Sequence, residues 1–161
     1  MARFTSKHLG PYFWGFDITT RTANAWDEKR ADYRIATTRL DDLGLAIARV
    51  LSPELADRFA NQTVGIHSAM ITLRSLLEAF EKVTDSKWTL NHIDMLDELE
   101  KDLKRLEGGD FSAVAHAIRG LLFLPGINID FEHNTNGTDD VSEVLGLPQA
   151  DIKQVVQELV Q

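Results

Sequence analysis

Two pairs of carboxylates stand in the middle of this chain, Glu78 with Glu81 and Asp94 with Asp97. Acidic side chains three apart share one face of a helix, and two such faces brought together could hold magnesium against a phosphate. Around them, reactive groups are scarce. There are no cysteines, which excludes thiolate nucleophiles, thiolate metal sites and disulfides. The five histidines, His8, His67, His92, His116 and His133, lack the i, i+4 spacing of a metal clip. His67 and His116 are expected on helices, as hydrogen-bonded residues beside apolar stripes. No serine lies in a strand-turn-helix elbow and no glycine-rich loop could cradle a phosphate. The sequence therefore names no catalytic residue, no metal and no cofactor.

Three short patterns resemble known motifs. The acidic pairs are similar to those of all-helical nucleotide pyrophosphohydrolases of the MazG kind, with aspartate in place of glutamate at position 94. That resemblance is confined to residues 78–97 and implies a magnesium-dependent release of pyrophosphate. Periodicity opposes it: with Leu96, Leu99 and Leu103 toward the core, Asp94 points outward on a charged face. A second pattern, Val141 to Val155, resembles a helix-turn-helix, with Gly146 at the turn and Ala150, Ile152 and Val155 in the second helix. It departs at Val141, where that motif prefers alanine. It would present Gln149, Lys153, Gln154 and Gln157 outward to nucleic acid, where glutamine can read adenine and lysine guanine. Asp151 and Glu158 share that helix and would repel phosphates. Third, residues 132–143 resemble an EF-hand calcium loop, with Gly137 at position six and Glu143 at position twelve. Glu132 at position one and Asp139 at position eight depart from it.

The aromatic residues are the other concentrated feature. Seven of the thirteen precede residue 34: Phe4, Tyr12, Phe13, Trp14, Phe16, Trp26 and Tyr33. Each buried ring is stabilised by roughly 1.5–3 kcal/mol over an exposed one, so the segment is expected to lie as a strap over the chain's own helices. The alternative is a docking element for a protein partner, with Tyr12, Phe13, Trp14, Phe16 and Trp26 as its contacts.

Apolar periodicity sets out the elements. Trp26, Tyr33, Leu40 and Ile47, with Ala36, Leu43 and Val50 between them, predict one helix from Thr20 to about Leu51. Ser52-Pro53-Glu54 predicts a new start and a short helix through Ala60. Ile66, Met70, Leu73, Leu77 and Phe80 predict a helix over 63–83, broken at Thr84–Ser86. Ile93, Leu96, Leu99, Leu103 and Leu106 predict the next, ended by Gly108-Gly109. Asp110 is expected to cap a helix whose core face is Phe111, Val114, Ile118, Leu121 and Leu122. Ile127, Ile129 and Phe131 alternate with polar residues, a short strand signal that admits a two-stranded ribbon with Tyr12–Ile18. Helices at Asp140–Leu145 and Pro148–Val160 close the chain.

The expected fold is therefore mainly α, a compact bundle of five or six helices with an extended aromatic N-terminal arm. It is read as a single domain over 1–161, with the arm over 1–19, the bundle over 20–123 and a helical hairpin over 138–161. Net charge is −8, from 25 acidic and 17 basic side chains, which disfavours nucleic acid and anionic lipid. No apolar run is long enough to span a bilayer. By elimination the expectation is a cytoplasmic, non-enzymatic interaction or regulatory module, partnered by another protein or by self-association. DNA binding and pyrophosphohydrolysis are the alternatives.

Overall fold

Threonines recur in the segment expected to form the first long helix: Thr20, Thr22, Thr37 and Thr38. Their β-branched side chains lose rotamer freedom in a helix and suit a pleated strand, and the strand wins. The computed structural model describes residues 13–127, 130 and 139–160. Its elements run β1 (Phe16–Asp17), β2 (Thr22–Trp26), β3 (Ile35–Thr37), α1 (Leu40–Val50), α2 (Ala56–Phe59), β4 (Ala69–Ile71), α3 (Leu73–Thr84), β5 (Thr89–His92), α4 (Met95–Glu107), a 3-10 turn (Phe111–Ala113), α5 (Val114–Leu121) and α6 (Ile152–Val160). One sheet has the order β1-β2-β5, with β1 antiparallel and β5 parallel to β2; β3 and β4 form a separate antiparallel pair. Among the described residues this is a mixed α/β fold, which corrects the expected mainly α bundle.

The predicted helix from Thr20 to Leu51 is in fact β2, a turn, β3 and α1. Trp26, Tyr33 and Leu40, seven residues apart, sit on β2, in the connection to β3 and on α1. Asp27 holds the turn. Its buried carboxylate accepts from the Lys29 amide (3.0 Å), Arg30 Nη1 (2.6 Å) and the Met95 amide (2.9 Å), a set of partners no helix interior supplies. The aromatic arm crosses β2 at Gly15, whose φ of 84° favours glycine. A Cβ there would stand 2.5 Å from Ala25 Cβ. The strand expected in Tyr12–Ile18 is present as β1, but it pairs with Thr22 and Ala23. Its expected partner, Ile127–Phe131, falls largely outside the described residues.

Farther on, the pattern locates helices better. α3 begins at Leu73 because Thr72 and Ser75 form a reciprocal capping box, each bond 2.9 Å. Ile66 and Met70, expected on this helix, instead lie before and within β4. Asp94 caps α4 by accepting from the Leu96 amide at 3.0 Å. Gly109 closes α4: its amide reaches Leu106 O and the Asp110 amide reaches Arg105 O, the two bonds of a Schellman motif. Asp110 in turn accepts from the Ser112 amide, as expected of a cap.

For α5 the expected face is wrong. Phe111, Val114, Ile118 and Leu121 are exposed, Phe111 at 77%, while Ala113, Ala117 and Gly120 are buried. A Cβ on Gly120 would come within 2.8 Å of Leu99 Cβ. Small residues let α5 lie close on α4, and that tight contact leaves the large side chains outside. The expected helix Asp140–Leu145 is a turn in which the Leu145 amide bonds Val141 O, so the C-terminal hairpin has one helix, α6.

Two apolar clusters result. The larger gathers Phe16, Trp26, Leu73, Phe80, Trp88, Met95, Phe123 and Val156. The smaller, Ala46, Phe59, Val141, Leu145 and Leu147, lies under α1 and α2.

Candidate functional site

The surface around α1 combines an exposed apolar stripe with a cavity at its N-terminal end. The helix is anchored by its inner face. Asp42, 3% exposed, accepts Arg39 Nε (2.7 Å), Arg39 Nη2 (3.1 Å) and the Ser68 hydroxyl (2.6 Å). The bidentate guanidinium holds the Asp42 carboxyl below the usual carboxylate range against the opposing effect of burial, with Ser68 assisting. The same pair raises Arg39. Ser68 Oγ also accepts the Arg39 amide at 3.0 Å, fixing the start of α1 to β4. Toward the other end, Arg49 Nη1 donates to Leu145 O.

With Asp42 and Ala46 turned inward, the outer face carries Leu40, Leu43, Ile47 and Leu51, exposed by 57, 40, 54 and 71%. Gly44 and Ala48 lie among them, also exposed. Beside Leu40 opens a cavity of about 360 Å³. Trp14 and Phe16 wall it from the arm, Leu76 and Phe80 from α3, Val155 and Val156 from α6, and Arg39 and Ser68 are its main polar margin.

The arm residues proposed as partner contacts have separate fates. Tyr12 lies outside the described residues. Phe13 is half-buried, edge-on to Trp14 at 4.8 Å, and its carbonyl accepts Arg119 Nη1 at 3.1 Å. Burial lowers the Arg119 pKa, opposed by the nearby Asp102 and Glu98. Trp14 is half-buried at the cavity. Phe16 stacks on Phe80 at 5.0 Å and meets Trp88 at 5.8 Å. Trp26 donates its indole N–H to Glu28 at 2.6 Å, beneath the Arg74 guanidinium. Phe16 and Trp26, each 1% exposed, belong to the interior.

Gln149, Lys153, Gln154 and Gln157 are all exposed, the last three on α6. That helix packs on α3, and a turn replaces the first helix of the expected pair. The acidic pairs are engaged elsewhere: Glu81 accepts Lys87 Nζ (2.7 Å) and the Trp88 amide (3.2 Å), while Asp94 is a helix cap beside Lys29. Asp94, expected to point outward, is half-buried. Among the described residues no three His, Asp or Glu converge as a metal group. Most of the EF-hand-like loop, 132–138, together with His8 and His133, lies outside them.

Periodicity did not foresee one polar cluster. His67, buried and before β4 rather than on a helix, contacts Asp140 Oδ2 through Nδ1 at 2.8 Å. Ser142 Oγ donates to Asp140 Oδ1 at 2.6 Å and accepts the His67 amide at 2.7 Å. The hydroxyl stands 3.4 Å from the same Nδ1. A nucleophilic triad needs serine and carboxylate on opposite ring nitrogens, so this cluster staples residues 139–147 to the body. The α1 stripe is visible in the sequence as Leu40, Leu43 and Ile47, but apolar periodicity does not say whether such a face is buried or exposed.

No protein-family model, curated protein or solved structure matches this chain. Among the described residues no helix is long and apolar enough to cross a membrane.

Proposed function

We propose that the chain is a non-enzymatic interaction module that pairs with a second copy of itself through α1. The observation that carries this is the outer face of that helix. Its four large apolar side chains expose an area on the order of 400 Å², within the range at which a patch on a monomer is often functional. Gly44 costs about 1 kcal/mol relative to alanine inside a helix. Nothing among the described residues comes within 4 Å of where its Cβ would stand, so none of their contacts requires glycine there.

The face is complementary to itself about a two-fold axis. In an antiparallel pair Leu40 meets the partner's Leu51, Leu43 meets the partner's Ala48, and Ile47 meets the partner's Gly44. Large residues fill the spaces left by small ones, and leucines close both ends. Antiparallel pairing also aligns the two helix dipoles favourably. The area of one helix pair suits a weak, reversible dimer rather than an obligate one. A cytoplasmic address belongs to the same proposal; a cysteine-free chain fits a compartment where disulfides do not form.

Light scattering across a concentration series tests it. The mass should climb from 18.1 kDa toward twice that value. Ile47→Asp should hold it at the monomer value without changing the circular dichroism spectrum, and Gly44→Leu should weaken pairing. A wild-type mass that stays monomeric at millimolar concentration would refute the proposal.

A further inference from the structure

We infer that the cavity beside Leu40 is a binding site for an uncharged, mainly aromatic small molecule carrying one oxygen acceptor. Its size is the first reason. A dry cavity of about 150 Å³ accommodates benzene, and this one is about 360 Å³, enough for two fused rings. The wall chemistry is the second. Trp14, Phe16 and Phe80 present ring surfaces, and aromatic groups pack on such walls with offset or edge-to-face geometry.

The margin decides the charge of the ligand. Ser68 is occupied by Asp42 and the Arg39 amide, and Thr37 Oγ1 donates to Ala69 O at 2.9 Å. Thr38 Oγ1 likewise donates to Ile66 O at 3.0 Å. Arg39 has given Nε and one Nη2 hydrogen to Asp42, and its other N–H groups have no partner among the described residues. These are the donors left for a ligand oxygen. The guanidinium charge is already matched by Asp42, with Asp41 and Glu158 adding to the negative field around it. A carboxylate or phosphate entering there meets an excess of negative charge, whereas a ketone, aldehyde or phenol accepts or shares the hydrogen bond without that cost.

This site adjoins the pairing face, and Leu40 belongs to both. Calorimetry on the full chain with 2-acetylnaphthalene, with 2-naphthoate as its charged counterpart, provides the test. The ketone should bind one per chain and perturb Trp14 fluorescence; the carboxylate should bind at least about tenfold more weakly. Val155→Trp and Ala150→Trp, which place a ring in the cavity from two different segments, should each weaken ketone binding by a similar factor. Circular dichroism and melting temperature identify a variant that has failed to fold, and the other then serves. No heat with the ketone, equal binding of the carboxylate, or ketone binding indifferent to both substitutions would each overturn the assignment.

Discussion

Helices α3 and α1 differ by one residue in length, 12 against 11, and both are amphipathic, yet they meet opposite environments. α3 is covered: Leu73, Leu76, Ala79 and Phe80 are buried, and α6 packs on it through Val156. α1 is covered on its inner side only, where Ala46 is buried and Leu45 and Val50 join the small cluster. Its leucines and isoleucine at 40, 43, 47 and 51 are left exposed by the described residues. One helix has its apolar stripe used by the fold; the other has a stripe the fold leaves over. Amphipathicity marks a face as apolar without saying which molecule covers it.

The largest effect that separates the two helices should come from truncation. Phe80→Ala removes a ring stacked on Phe16 and beside Trp88, and should cost about 3–5 kcal/mol in urea unfolding. Ile47→Ala, measured at concentrations where the chain is monomeric, should stay within about 0.5 kcal/mol. Comparable losses at both positions would erase the contrast. Next, Asp27→Ala strands Arg30 and the Met95 amide in a buried turn, and should destabilise by about 3 kcal/mol, again by urea titration.

A smaller effect concerns how α1 is anchored. The folded Asp42 carboxyl titrates below its ordinary range because Arg39 binds it. Its stabilising contribution is therefore complete above the unfolded pKa of about 4 and fades as pH falls through the lower folded value. Asp42→Asn should remove about 1–2 kcal/mol at neutral pH and flatten the acid limb of a stability-versus-pH curve. An unchanged acid limb would show that Asp42 does not anchor the helix. Thr72→Ala, which breaks the capping box of α3, should lower stability by about 1 kcal/mol in the same assay. Smallest of all, Phe111→Ser on the exposed α5 side should change stability by less than about 0.5 kcal/mol.

Much of the helical half was legible from local chemistry. The Gly108-Gly109 pair ends α4 as its residue types predict, because caps act on backbone groups within a few residues. The shelter expected for Phe16 and Trp26 followed from ring area alone. The first third does not follow its own periodicity because Trp26, Tyr33, Leu40 and Ile47 imitate one helical stripe across elements that the turn at Asp27 separates. The cavity walls come from the arm, α3 and α6, segments far apart in the chain, so no window of sequence displays them together. The polar staple of His67, Asp140 and Ser142 joins partners 73 and 75 residues apart, beyond any spacing rule.

By itself the sequence determined where α3 and α4 end, the need to bury the N-terminal rings, and the lack of thiol chemistry. These follow from backbone capping, apolar area and composition, which act locally or sum over the chain. Only the tertiary structure decided that residues 22–37 pair as strands and that α5 turns its small residues inward. It also decided that α1 keeps an apolar face in water. Those outcomes depend on how closely two distant surfaces can approach, a matter of side-chain volume on both, and a one-dimensional pattern records only one side of each contact.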